Sequence, residues 1–210
     1  MVTDYRAFGM TVIGASHIKS GSVCQDFSLS CELPDRRISV VCDGHGGADY
    51  FRSDRGSRFA AEAFTECMKD PDVISVLSAA ATQKQQSGRI EQLIKSIIAR
   101  WNELVERDIK EHSFGEDELS GVSGKARKRY ETGQRLQSAY GTTLIGVMLT
   151  ENFWLGLQIG DGKCVAVSKD GEFTQPIPWD EQCFLNVTTS ICDENAAKEF
   201  RFCFERTLPA

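Results

Sequence analysis

The stretch SVVCDGHGG, Ser39 to Gly47, runs an apolar segment straight into an aspartate, a histidine and three glycines. Ile38 to Cys42 is predicted as a strand buried on both faces, because a short continuous apolar run suits the interior of a sheet. Asp43 then falls at the strand end. A carboxylate there is held rigidly, and burying it alone is costly, so it is expected to be paired or to bind a cation. Gly44 has no side chain, so its carbonyl can approach a ligand closely. Gly46 and Gly47 permit a sharp turn, and His45 carries the side chain best suited to proton transfer near neutral pH.

Outward from this pivot, Phe8 to Ala15 is apolar and punctuated by glycine, and is predicted as a strand. Asp26 to Leu33 alternates, with Phe27, Leu29 and Cys31 on one side, the period of a half-buried strand. Pro34-Asp35 marks a turn. From Ala48 to Met68 the period becomes helical, with Phe51, Phe59, Ala63, Phe64 and Cys67 on one face and Gly56 as a weak point. A shorter helix is expected over Asp72 to Ala81. Ile90, Ile94, Ile97, Trp101, Leu104, Val105 and Ile109 then follow the three-and-four spacing of a long core helix. Residues 113–138 are polar and read as a long exposed loop. The basic run Lys125 to Arg129 inside it reads as solvated. Strands return over Thr142 to Thr150, Phe153 to Ile159, Cys164 to Ser168 and Glu199 to Glu205, with hairpin turns at Asn152 and Lys169-Asp170-Gly171. Strands, then helices, then strands imply an α+β fold of antiparallel sheets covered by helices.

The 210 residues suffice for one sizeable domain with an ordinary core, spanning residues 1–210. A net charge of -6 disfavours nucleic acid as a partner, since neutralising phosphates needs clustered Lys and Arg. No apolar run is long enough to span a membrane, and the opening residues lack the basic start and apolar run of a secretory signal. Cys42, Cys67, Cys164 and Cys203 sit in apolar patterns without any C-x-x-C pair, which points to a reducing, cytoplasmic compartment. Asn186-Val187-Thr188 fits a glycosylation sequon, which means little without a secretory signal.

Two further acids resemble Asp43 in setting. Asp26 opens a strand beside Gln25, and Asp161 lies between Gly160 and Gly162 after another strand. Three carboxylates at strand ends could converge on one sheet edge. All-oxygen ligation selects magnesium or manganese over zinc. Two such ions would suit phosphoryl hydrolysis. Taken singly, each residue has a plainer reading: Asp161 as a turn residue, Asp26 as a cap or edge charge, His45 as a hydrogen-bonded structural histidine. Asp43 is harder to explain so, because a single pentapeptide supplies strand end, carboxylate, bare carbonyl and histidine together.

Val41-Cys42-Asp43-Gly44-His45-Gly46-Gly47 resembles the most diagnostic motif of the metal-dependent type 2C serine/threonine protein phosphatases. Gln25-Asp26 is similar to that family's earlier acidic pair, Tyr140 to Leu144 to its Gly-Ser/Thr-Thr strand, and Ile159 to Val165 to its Gly-Asp-Ser-Arg segment. All come in the family's order, and Gly14 to His17 with Gly21 to Asp26 looks most like a bacterial-style branch. The resemblance implies a sandwich of two antiparallel sheets flanked by helices, with two magnesium or manganese ions at one end. Asp43 would bridge both ions and the Gly44 carbonyl would bind the second. Asp26, with Gln25, would hold metal-bound waters, and Asp161 would help an outer third ion. His45 would be the general acid, and metal-activated water would attack phosphorus in line. The implied substrate is a phosphoserine or phosphothreonine protein, opposite a serine/threonine kinase.

Three departures from the family pattern bear on this. Gly21 stands where the family often has a phosphate-holding arginine, so no residue here is assigned to the substrate phosphate. Gln25 replaces a commoner glutamate. Two later metal aspartates of the family find no counterpart before Ala210, and Asp193-Glu194-Asn195 is no convincing substitute. The expectation is therefore an incomplete domain that lacks its last strands, with weak metal binding and little turnover. Two alternatives stay open: a non-catalytic phosphatase-like binding module, and a small-molecule phosphoesterase.

Overall fold

The computed structural model describes residues 2–185 and 187–206, so Asn186 of the sequon lies outside the described residues. An extended arm leads into helix α1 (Ala15–Ser20), which ends at Gly21 with φ of +68°, a left-handed cap that side chains disfavour. Phe8 to Ala15 is not the expected strand. The arm lies along strand β1 (Asp26–Leu33) through side chains instead of a backbone ladder: the Ala7 amide donates to Glu32 Oε1 (3.0 Å), and the Thr11 and Ser28 hydroxyls meet at 2.8 Å. Phe8, Met10 and Val12 are left exposed.

β1 forms a hairpin with β2 (Arg36–Asp43), turned at Pro34-Asp35 as expected. Helices α2 (Ser53–Lys69), α3 (Asp72–Ser78) and α4 (Gln83–Glu111) follow. Their apolar spacing explains their burial: Phe64, Met68, Ile90, Ile94, Ile97 and Trp101 pack on Ile38, Val40, Leu144 and Met148 of the sheet. Gly56 is no weak point in α2. A Cβ there would fall 1.9 Å from the Tyr140 carbonyl oxygen, and its own carbonyl accepts from Trp101 Nε1 at 3.1 Å.

Residues 113–138 are not a long loop. They carry α5 (Glu116–Leu119) and α6 (Gly124–Glu131), and a 3-10 turn follows at Leu136–Tyr140. The anchor is Arg52, buried at the start of α2. It donates to both Glu118 carboxylate oxygens (2.7 and 2.8 Å), to the His112 carbonyl (2.7 Å) and to the Tyr140 hydroxyl (2.7 Å). Leu119, Val122, Ala126 and Tyr130 complete the attachment by burial.

Strands β3 (Leu144–Thr150) and β4 (Trp154–Ile159) form a second hairpin. β5 (Ala166–Val167) and β6 (Phe173–Thr174) form a separate two-stranded antiparallel sheet. After α7 (Ala196–Glu199), β7 (Arg201–Glu205) pairs with β4. The main sheet is antiparallel with order β1-β2-β3-β4-β7. The fold is thus α+β, two antiparallel sheets with helices. The helices cover only one face of the large sheet, so β2 is not buried on both faces. Ile38, Val40 and Cys42 are buried while Val41 is 49% exposed. The other face meets the arm and the β5–β6 ribbon across an open groove of about 520 Å3, lined by Arg37, Ser39, Val147, Leu149 and Trp154. The cysteines are free thiols, and among the described residues no helix is long and apolar enough to cross a membrane.

Candidate active site

The register of the first hairpin sets Asp26 opposite Asp43, close enough for the charge of Asp26 to act on the Asp43 carboxyl. Asp161, in the turn after β4, stands close enough for its charge to reach Asp43. All three line one cleft of about 390 Å3, together with Thr143, Ile145 and Gly162. Partial burial, then the charge of Asp26, then the charge of Asp161 push the Asp43 carboxyl up to about 6. The three strand-end acids thus meet at one rim.

Asp43 is gripped through its backbone. Its amide donates to Thr143 Oγ1 (3.1 Å), and its carbonyl accepts from the Thr143 amide and the Thr142 hydroxyl (2.9 Å each). Gly44 is buried, and its amide donates to the Gln25 carbonyl at 3.1 Å. A Cβ on Gly44 would come within 2.6 Å of both the Gln25 and Ser53 carbonyl oxygens, so only glycine fits. Among the described residues none donates to the Gly44 carbonyl, which leaves it available as an oxygen donor. Gln25 braces the same turn. Its amide nitrogen donates to the His45 carbonyl (3.0 Å) and Ser53 Oγ (2.6 Å), and Ser53 Oγ donates to the same carbonyl (2.8 Å).

His45 donates its amide to the Gly141 carbonyl (3.0 Å) and sets its ring edge-to-face with Tyr50 at 5.0 Å. Gly141 makes the seat: a Cβ there would sit 2.6 Å from His45 Cδ2 and 2.9 Å from Tyr50 Cδ1. Burial holds the imidazole below the ordinary histidine pKa, against the pull of Asp193 and Asp161. Asp161 is steadied by the Thr188 hydroxyl (3.3 Å), and Gly160 beside it by Arg201, whose Nη2 donates to the Gly160 carbonyl (2.7 Å).

The family model described as protein phosphatase 2C matches residues 13–208. The chain belongs to the protein phosphatase 2C family. Among solved structures it is similar to the serine/threonine phosphatase Stp1 from Staphylococcus aureus, at 13% identity and a TM-score of 0.52, over 88% of this chain and 66% of that one. It is also similar to the S. agalactiae serine/threonine phosphatase, at 15% identity and a TM-score of 0.51, over 89% of this chain and 70% of that one. At such identities the likeness is one of fold, and the chain spans about two thirds of the length of the phosphatase structures it matches. No curated protein matches the chain.

In this phosphatase 2C chain the donors at the cleft are carboxylate and carbonyl oxygens, a set that fits a hard divalent cation. Asp26 and Asp43 are like charges set opposite each other, a repulsion that a cation would relieve. Among the described residues no group of three or more His, Cys, Asp or Glu side chains is arranged to hold an ion by itself, so Asp161 does not complete a three-residue cluster. Two features lay beyond sequence reasoning. The clamp on Asp43 by Thr142 and Thr143 is one. Asp193 is the other: its carboxylate caps the Ser190 amide (2.8 Å), and it reaches His45 because Ser190 and Ile191 bond the Thr142 carbonyl (3.1 Å each). No local signal marks it.

Proposed function

We propose that the Asp43 cleft hydrolyses phosphoserine and phosphothreonine in proteins with two magnesium or manganese ions. The observation that carries this reading is the Asp26–Asp43 pair, two strand-end acids set opposite each other in one cleft at the family's motif. Asp43 and the Gly44 carbonyl would hold the ions, with Asp26 orienting water beside them and Asp161 toward a third. Divalent ions at such a site lower the pKa of water and neutralise charge on phosphate. Asp43, fixed by Thr142 and Thr143, keeps its position while charge develops. His45 would protonate the leaving serine or threonine oxygen. Burial favours its neutral form. An arriving phosphate dianion adds to the pull of Asp193 and Asp161, so the proton would be taken up as substrate binds. The biological counterpart is a serine/threonine kinase.

The test is phosphate release from a phosphoserine peptide with manganese, with a chelator, and in Asp43→Asn and His45→Ala. Metal-dependent release is expected, abolished by Asp43→Asn and lowered about a hundredfold by His45→Ala. Release indifferent to chelator and to Asp43→Asn contradicts the proposal. The lack of a third ligating side chain among the described residues favours a second reading, a module that binds phosphoprotein without turnover. Phosphopeptide binding without any phosphate release would select it.

A further inference from the structure

The basic run Lys125 to Arg129 lies in helix α6, and its charges divide by flank. Ala126 and Tyr130 are buried. Arg127 occupies one flank, tied to Glu116 (2.8 Å) and Glu131 (2.7 Å). Lys125 and Arg129, four residues apart, share the other. Among the described residues neither has a carboxylate within ion-pairing distance, and Arg129 Nε is buried without a hydrogen-bond partner. The Arg129 guanidinium lies 5.9 Å from the centre of the Tyr130 ring.

α6 is fastened to the Asp49–Tyr50 segment. The Asp49 carboxylate accepts from the Ser123 amide and hydroxyl (2.7 Å each), and the Tyr130 hydroxyl donates to the Asp49 carbonyl (2.7 Å). The next residue, Tyr50, carries the ring packed on His45. Arg129 is near enough for its charge to act on the Tyr50 hydroxyl. The neighbouring arginines are already engaged: Arg52 by Glu118, Arg55 by Asp108, Arg135 by Glu194. An unpaired cation retains its attraction for an external anion.

We propose that Arg129, assisted by Lys125, holds an anionic group of the substrate next to His45 and Tyr50. That group is either the phosphate itself or an acidic side chain next to the phosphorylated residue. This rests on the phosphatase reading of the cleft, and it supplies a cation where Gly21, committed to capping α1, cannot.

The test is fluorescence anisotropy in manganese buffer with three labelled peptides: phosphoserine with acidic flanks, phosphoserine with neutral flanks, and the unphosphorylated acidic sequence. Wild type is compared with Arg129→Gln, which keeps much of the stem on Tyr130, and with Arg129→Lys and Lys125→Gln. Arg129→Gln is expected to weaken phosphopeptide binding about five- to tenfold, with Arg129→Lys recovering part. The loss should shrink as salt rises. Equal loss on both phosphopeptides places the phosphate at Arg129, and loss confined to the acidic one places a flanking side chain there. Unchanged affinity in Arg129→Gln, with wild type binding phosphopeptide, overturns the inference and leaves the phosphatase reading intact. A wild type that neither binds nor hydrolyses any phosphopeptide overturns both.

Discussion

Asp26 and Asp43 are register partners at the open end of the β1–β2 hairpin, and both line one cleft. Two ionised carboxylates so placed repel, and a proton or a cation relieves that repulsion. Partial burial and then the charge of Asp26 push the Asp43 carboxyl up to about 6, far above an ordinary aspartate. In the metal-free chain the folded state binds this proton more tightly than the unfolded chain. The stabilising contribution is full below about pH 4 and lost as pH rises through about 6. Melting temperatures of wild type and Asp43→Asn are expected to diverge across that window, the wild type alone losing stability from this pair. Manganese added at pH 7 should restore part of it. Parallel profiles would show that the pair carries no such proton.

Gly141→Ala tests the seat of His45. The new methyl group meets the imidazole and the Tyr50 ring, both side chains that can move. The expected result is a small change in melting temperature with a clear shift of the His45 and Tyr50 ring signals in NMR spectra, and lost activity. Unshifted signals would mean the ring does not rest on Gly141.

Gly56→Ala should be costlier, because its methyl group meets the Tyr140 backbone and not a mobile side chain. A loss at or beyond the upper end of about 1–3 kcal/mol is expected by denaturant unfolding. A helix-stabilising gain, the ordinary result of Gly→Ala in a helix, would disprove the close approach.

Arg52→Met removes the anchor of residues 113–138. It strips Glu118 of its ion pair and the Tyr140 hydroxyl of its Arg52 donor, while Asp108 keeps Arg55 and the Tyr140 hydroxyl (2.6 Å). A cost of about 3 kcal/mol is expected, with faster amide exchange confined first to α5 and α6. Hydrogen bonding from Arg52 holds the Glu118 carboxyl below its ordinary range, so the same network should weaken as pH falls below about 4. Glu118→Gln should flatten that acid limb.

Elements with clean periodicity were legible in the sequence. Asp26–Leu33 is the strand its alternation predicts, and the three-and-four spacing from Ile90 to Ile109 lies wholly inside α4. Phe8 to Ala15 misled because apolar composition does not supply a strand with a partner, and the arm finds only side chains of β1. Residues 113–138 misled in the opposite sense. Their polar composition hides Leu119, Val122, Ala126 and Tyr130, and their main tether, Arg52, is distant in sequence. In the site, Asp43 stood out through its motif; Asp26 and Asp161, each readable singly as a cap or turn residue, were expected to converge with it, and strand register and the turn after β4 set all three along one cleft. Asp193 stayed hidden because it reaches His45 only through a long-range contact of Ser190 with Thr142.

Calorimetric titration of manganese into wild type and Asp43→Asn, at pH 7 and matched folding by circular dichroism, addresses the cleft most directly. Saturable binding by wild type that weakens at least about tenfold in Asp43→Asn is the expected result, the loss of one ligand charge at a hard-cation site. Equal binding by both proteins, or none by wild type, would contradict a metal centre at Asp43.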